Sequence, residues 1–100
     1  MTQRLIFSPQ VIAELREIGE FIAKDNLKAA LSVIDKLKKR CQDAAEHPTI
    51  GHKQNELQPG LRSLTEGDYV IFYRFLDSGI EITKIVHGKR NIQKLFKQKL

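Results

Sequence analysis

The fold is decided by residues 60–87, which read GLRSLTEGDYVIFYRFLDSGIEITKIVH. β-branched and aromatic residues fill three short runs in this stretch, and turn-forming residues separate the runs at positions 66–68 and 77–79. Such runs between Gly, Asp and Ser are typical of β-strands joined by tight connections. The stretch therefore predicts three consecutive strands joined by two turns.

The middle run, residues 69–76, is apolar on both faces of a strand. Side chains alternate along a strand, so its apolar residues divide into two sets. One set is Val70, Phe72 and Leu76, and the other is Tyr69, Ile71, Tyr73 and Phe75. A strand of this kind belongs inside a sheet that is covered on each side. Arg74 interrupts the first set and predicts a solvated end on that face.

The segments before this sheet predict one strand and two helices. Residues 3–7 form a short apolar run, expected at a sheet edge, and Ser8-Pro9 then supplies a helix cap followed by proline. Apolar residues recur at helical spacing from there to about Lys24, and again from about Leu27 to Glu46. The short connection forces an antiparallel hairpin, whose apolar seam needs the sheet as its partner layer.

The remaining segments complete a single domain over residues 1–100. Residues 49–59 are polar and predict a loop, and Ile92, Leu95 and Phe96 share one stripe of a short final helix. A helix this short must dock on something to be stable. We predict an α+β fold in the order β-α-α-β-β-β. Its mostly antiparallel sheet carries the helical hairpin on one face, and the chain ends in a short C-terminal helix.

Cysteine and histidine content argues against a cofactor or a metal site. The chain has one cysteine and three scattered histidines, so neither an internal disulfide nor a set of metal ligands is expected. Cys41 falls on the apolar stripe of the second helix, which favours a buried, inert thiol. No apolar run is long enough to span a membrane, and we expect a cytoplasmic protein.

The positive charge is concentrated at one end of the chain. The net charge is +5, and residues 84–100 contain six Lys or Arg and no acid, whereas residues 1–83 carry 11 bases and 12 acids. A basic segment of this kind can meet nucleic acid, an acidic protein or only solvent.

An enzyme signature is missing from the sequence, but a ribonuclease site can be assembled in principle. RNA cleavage needs a base, an acid and cations around one phosphate. The residues near the sheet that could supply these groups are Lys53, Arg62, Tyr69, Tyr73, Arg74, Lys84, His87, Lys89 and Arg90. If the protein is a ribonuclease, the catalytic residues we expect from this list are Arg62, Arg74, His87 and Arg90. Strand alternation argues against this arrangement, because Arg74 and Tyr73 point to opposite faces and one face cannot present every candidate.

Three motifs carry a resemblance to a known family. They are Gly60-Leu61-Arg62, the run from Tyr69 to Arg74, and His87-Gly88-Lys89-Arg90. With the two preceding helices, they resemble the ParE toxins of the RelE/ParE toxin–antitoxin superfamily, over about Phe7 to Phe96. Ribonuclease members of the superfamily typically carry a catalytic Tyr or His near the C-terminus, whereas this chain ends in Lys-Gln-Lys-Leu. One departure is His52, where ParE-like chains often have Arg.

The resemblance implies the toxin of a type II toxin–antitoxin system, of the kind linked to plasmid stabilisation. Such a toxin is expected to bind DNA gyrase and trap the cleaved-DNA complex without being an enzyme, meeting DNA only indirectly. The expected target-binding residues are Lys84, His87, Lys89, Arg90, Lys94 and Lys97. The alternatives are a RelE-like endoribonuclease that cleaves mRNA, and a degenerate, non-toxic copy that only binds antitoxin.

A cognate ParD-like antitoxin is the second expected partner, in a toxin–antitoxin hetero-oligomer. The hairpin covers one sheet face, so apolar residues of the other face stay exposed unless the tail or another chain covers them. We expect an antitoxin segment to fold over that surface as a helix or an added strand. The expected antitoxin-binding residues are Val11, Leu15, Ile18, Tyr69, Ile71, Tyr73, Phe75, Leu95 and Phe96.

Overall fold

The computed structural model describes residues 4–89 and 92–97, without the side chains of Gln93 and Lys97. Its elements are β1 (Arg4–Phe7), α1 (Pro9–Ala23), α2 (Leu27–Glu46), β2 (His52–Lys53), β3 (Leu61–Glu66), β4 (Tyr69–Leu76), β5 (Gly79–His87) and α3 (Ile92–Lys97). The strands form one five-stranded sheet in the order β1-β5-β4-β3-β2. β1 runs parallel to β5 and the other neighbours are antiparallel, which confirms the predicted α+β fold.

Local sequence signals set the helix ends. The Ser8 side chain accepts a hydrogen bond from the Val11 amide at 3.1 Å, and Asn26 accepts one from the Ala29 amide at 3.0 Å. Each bond satisfies a backbone donor that the first helical turn leaves free. The bounds of α2 agree with the prediction, whereas β2 is a two-residue strand within a segment predicted as loop.

The helical hairpin seals one face of the sheet. Val11 of α1 and Leu37 of α2 are fully buried against Ile71, Tyr73 and their neighbours. Cys41 is buried in the same cluster, and burial raises the pKa of its thiol to about 12, so the thiol stays protonated at neutral pH. The expected burial of this cysteine is confirmed.

The opposite face of the sheet is covered by the chain's own C-terminal helix. Phe72, Leu61 and Val86 are buried there, and Leu95 and Phe96 of α3 pack against them. The rings of Phe72 and Phe96 meet edge-on with centroids 5.0 Å apart. The two apolar sets of β4 therefore have separate covers, α1 and α2 on one side and α3 on the other.

Strand β5 contains a β-bulge, and beyond the end of β1 it is hydrogen-bonded to the helical hairpin. Phe72 pairs with Lys84 and Tyr73 pairs with Ile82, so Thr83 is an extra residue on β5. β1 ends level with Ile82, and beyond it the Ile85 amide donates to the Glu14 carboxylate of α1 at 2.8 Å. A helix side chain thus supplies the acceptor where the neighbouring strand has ended.

Among the residues described, no helix is both long and apolar enough to cross a membrane.

Candidate functional site

An apolar groove lies on the outer side of the helical hairpin. Its volume is about 640 Å³. The apolar lining comes from Phe7 of β1, from Ile12, Leu15, Gly19 and Ala23 of α1, and from Leu27, Ala30, Leu31 and Ile34 of α2. We call this surface the hairpin groove. A β-carbon at Gly19 would lie 3.5 Å from Ile34 Cγ1, so the glycine marks a close approach of the two helices.

Several of the apolar side chains that line the hairpin groove are more than half exposed to solvent. Leu27 and Leu31 are each 64% exposed and Ile12 is 52% exposed. Arg16, Glu20 and Lys38 complete the lining with charge. Contiguous apolar surface bordered by charged groups is typical of a protein-binding site.

The sheet edge next to the groove is β1, and among the described residues no strand pairs with it on the side away from β5. The Arg4 amide donates to Ser78 O at 2.9 Å and the Ser8 amide to Ile82 O at 3.1 Å. Alternate residues of an edge strand turn their backbone groups away from the neighbouring strand. The amides and carbonyls of Leu5 and Phe7 therefore point outward, where an added strand can pair with them.

The residues predicted to bind antitoxin do not form one surface. Val11, Ile71 and Tyr73 are each 0% exposed, so their prediction as contact residues is wrong. They looked available because the sequence does not reveal which apolar face the hairpin covers.

The other six predicted antitoxin residues are divided between separate places. Leu15 lines the hairpin groove, and Ile18 and Tyr69 are half-buried against the core beneath the hairpin. Leu95 and Phe96 pack on the opposite face. Phe75 is 49% exposed and lies near the far end of β4. The prediction missed the groove because Leu27 and Leu31 fall outside the stripe of α2 that faces the sheet.

The residues predicted to bind the target lie at the end of β5 and on α3. Lys84 Nζ lies 5.6 Å from the centroid of the Phe96 ring. The His87 ring meets the Tyr69 ring edge-on at 5.5 Å, and its Nδ1 accepts a hydrogen bond from the Lys89 amide at 3.2 Å.

The remaining target residues are only partly described. Lys94 is exposed on α3. Arg90 and the side chain of Lys97 lie outside the described residues. These assignments remain predictions.

The structure separates the residues that a ribonuclease would need together. His87 pairs with Tyr69 and Arg74 pairs with Glu81, so His87 and Arg74 lie near opposite ends of β4, about 16 Å apart along the strand. Arg62 pairs with Tyr73 and points to the other face from Arg74. Arg90 lies outside the described residues. Arg62 and Arg74 both line a small cleft at the end of the sheet, but His87 lies at the other end of β4, so the described members of the set do not surround one phosphate.

Comparison with known proteins assigns the family. A model described as the ParE toxin of the type II toxin–antitoxin system parDE matches residues 5–92. The chain belongs to the ParE toxin family. It is 28% identical over 96 residues to Toxin ParE1 of Mycobacterium tuberculosis, covering 94% of this chain and 98% of the relative. It is 22% identical over 90 residues to Toxin ParE3 of Caulobacter vibrioides, covering 89% and 90%.

A solved structure carries the same fold. It belongs to a chromosomal ParDE toxin–antitoxin system from P. aeruginosa, with a TM-score of 0.74 at 18% identity. The match covers 86% of this chain and 96% of that chain. The protein is accordingly a ParE-type toxin of a toxin–antitoxin system, built on the fold predicted from its sequence.

Two residues of the ParE-like motifs anchor the loop between the hairpin and the sheet. The buried Tyr73 hydroxyl donates to Pro48 O at 2.7 Å and accepts from the Gly51 amide at 2.9 Å. Arg62 donates to Gly51 O at 2.8 Å. Burial raises the pKa of the Tyr73 phenol above its ordinary value, against smaller opposing effects of the Gly51 amide, Arg62 and Arg40. No local pattern in the sequence indicates this contact with a loop.

Replacing Tyr73 with Phe should destabilise this ParE toxin by about 1–3 kcal/mol, because a buried donor and a buried acceptor lose their partner. The change is measured as the free energy of unfolding in urea at pH 7. In the wild type, the pKa of Tyr73 is higher in the folded than in the unfolded protein, so the neutral phenol favours the folded state. This contribution to the free energy of unfolding is fully present below about pH 10 and is lost as the pH rises through the pKa of the folded state. Y73F should therefore lose less stability than wild type above pH 10. Y69F is the control, with an expected change within about 0.5 kcal/mol; equal effects of Y73F and Y69F would contradict the anchoring role.

Proposed function

We propose that this ParE toxin inhibits DNA gyrase by binding, and that a ParD-like antitoxin neutralises it by laying an amphipathic helix in the hairpin groove. The observation that carries the antitoxin part is the exposed apolar lining of that groove. Family membership supports the gyrase part. Both partners would be met in the cytoplasm.

The size of the hairpin groove suits a short helix. Its α1 wall runs from Ile12 to Ala23, which is about 16 Å at the helical rise of about 1.5 Å per residue. That length accommodates roughly three turns of a partner helix, with apolar anchors spaced three and four residues apart. Burying one fully exposed Leu contributes about 1.5–3 kcal/mol, so Leu27 and Leu31 together can dominate the contact.

Charge at the groove indicates which residues the partner helix should carry beside its apolar anchors. Arg16 and Lys38 are basic and Glu20 is acidic. An acidic side chain of the antitoxin placed against Arg16 or Lys38 would be favourable, and a basic one would suit Glu20. The open edge of β1 gives an adjoining extended segment a place to pair. A helix followed or preceded by a strand would use both features at once.

The distribution of charge and of candidate catalytic groups favours binding over catalysis at the target. The cationic surplus lies in the last strand and the tail, which is suited to electrostatic attraction of an acidic protein surface or of DNA held by gyrase. The separation of His87 from Arg62 and Arg74 weakens the ribonuclease alternative, since general acid–base catalysis needs groups within hydrogen-bond reach of one reacting centre.

A charge in the hairpin groove should abolish antitoxin binding while leaving the toxin folded. We expect L31E to weaken binding of the cognate antitoxin about 100-fold, because a carboxylate would be buried against apolar surface. The measurement is isothermal titration calorimetry with the purified partners. F21E is the matched control, since Phe21 is 72% exposed on α1 but does not line the groove. Equal affinities for L31E and wild type, or equal losses for L31E and F21E, would place the antitoxin elsewhere.

Purified toxin should block supercoiling by gyrase and cause cleaved plasmid DNA to accumulate, and added antitoxin should reverse both effects. The double variant K89Q/K94Q should inhibit about tenfold less, because it removes two cations of the basic end. K36Q/K39Q, which removes two exposed cations of α2, should inhibit like wild type. Normal supercoiling with no cleaved DNA would overturn the gyrase proposal. Cleavage of mRNA would then identify the endoribonuclease alternative, and unaffected growth on expression would identify a non-toxic copy.

A further inference from the structure

A second, smaller cleft lies at the end of the sheet, away from the hairpin groove. It has a volume of about 310 Å³. Three basic residues line it, Lys53 of β2, Arg62 of β3 and Arg74 of β4, together with Phe75 of β4. We call it the sheet-end cleft. The other lining residues are Asn55, Pro59, Gly60 and Leu61, so no carboxylate lies on its wall.

Two of the three cations in the sheet-end cleft have no carboxylate partner among the described residues. Arg62 donates to the carbonyls of Gly51 at 2.8 Å and Thr49 at 3.4 Å, which hold the guanidinium in place without neutralising it. Within the described residues Lys53 forms no ion pair, and its side chain is exposed. Arg74 is balanced by Glu81, 2.8 Å away, outside the lining of the cleft.

Phe75 gives the sheet-end cleft an exposed aromatic surface. Nearly half of its side chain, 49%, is exposed, although its neighbours Phe72 and Tyr73 on the same strand are buried. The Arg62 guanidinium lies 5.1 Å from the centroid of the Phe75 ring. A fixed planar cation beside an exposed ring is the combination on which unpaired bases stack, with a nearby phosphate held by charge.

We propose that the sheet-end cleft binds a single strand of nucleic acid. Lys53 and Arg62 would hold a backbone phosphate, and a base would lie against Phe75. An acidic peptide would satisfy the two cations but would leave the exposed aromatic surface without a specific partner. The inference goes beyond the proposed function, because it is a property of the chain alone and does not depend on which enzyme the toxin inhibits.

The cleft is also distant from His87 and from Lys89, which follows it at the end of β5. Arg62 and Arg74 lie near one end of β4 and His87 lies near the other. Substitutions in the sheet-end cleft and in the basic end can therefore be compared independently. A wild-type toxin that binds the oligonucleotide but does not inhibit gyrase would reject the proposed function alone, and one that inhibits gyrase but does not bind the oligonucleotide would reject this inference alone.

The test is fluorescence anisotropy of the full-length toxin with labelled 12-nucleotide DNA and RNA strands of one sequence. F75A should weaken binding about tenfold through lost stacking. K53Q should weaken it several-fold and lower the dependence of log K on log salt by about 0.7, the value for one phosphate contact on a single strand. Both residues are exposed, so the variants should fold. F21A and K36Q are the matched controls and should bind within twofold of wild type.

Comparison of the DNA and RNA oligonucleotides shows which kind of nucleic acid the cleft prefers. Equal affinity for DNA and RNA would support recognition of phosphate and base alone, and tighter binding of RNA would support an added 2′-hydroxyl contact. No binding of either strand at low salt would overturn the proposal. Unchanged affinity in both F75A and K53Q would also overturn it, as would equal displacement of the strand by an acidic peptide of the same charge.

Discussion

The whole structure depends on the burial of β4 on both faces. Ile71 and Tyr73 on one side and Phe72 on the other are at most 1% exposed, so this strand needs two separate covers. The helical hairpin supplies one and α3 supplies the other. Burying large apolar side chains on both faces is the main favourable contribution to stability available to a chain of this size. It also means that neither sheet face is free to receive a macromolecular partner across its centre.

The surfaces proposed to bind partners therefore lie at the periphery of the fold. The outer side of the hairpin has exposed leucines, and β1 has backbone groups that no strand among the described residues pairs with. Of the three cations in the sheet-end cleft, Lys53 and Arg62 have no carboxylate partner in the described part of the chain. The hairpin packs on the opposite side of the sheet from α3, which carries part of the basic end. The proposed antitoxin groove and the proposed target surface thus lie on different sides of this ParE toxin. An antitoxin in the groove would therefore not contact the basic residues directly. It would neutralise the toxin by steric hindrance, because the larger complex would not fit against the target.

Sequence reasoning recovered the elements of the fold because their signals are local. Caps at Ser8 and Asn26, helical spacing in two segments and alternation in residues 60–87 are each read within a few neighbouring positions. The expected edge strand and the short docked helix follow from the same local patterns. The bulge at Thr83 and the two-residue strand β2 were not predicted, because both depend on the partner strand.

Site prediction was weaker because it depends on which apolar face the chain covers itself. Val11, Ile71 and Tyr73 were assigned to a partner but are core residues, whereas Leu27 and Leu31 were overlooked and are the exposed ones. The type of residue does not show whether an apolar side chain is buried or exposed, because that depends on how the helices and strands pack together. The hydrogen bond from Tyr73 to Pro48 joins positions 25 residues apart, and no periodic pattern reveals it. The contact of Arg62 with Phe75 depends on the register between β3 and β4, which the sequence alone does not fix.

Hydrogen–deuterium exchange of the toxin, measured by mass spectrometry with and without its cognate antitoxin, tests the central claim most directly. The claim is that β4 is sealed on both faces and that the partner binds the outside of the hairpin. The account predicts added protection in residues 5–7 and 12–34, with residues 69–76 slow to exchange in the free toxin and little changed on binding. New protection confined to residues 61–87, with residues 12–34 unaffected, would contradict it.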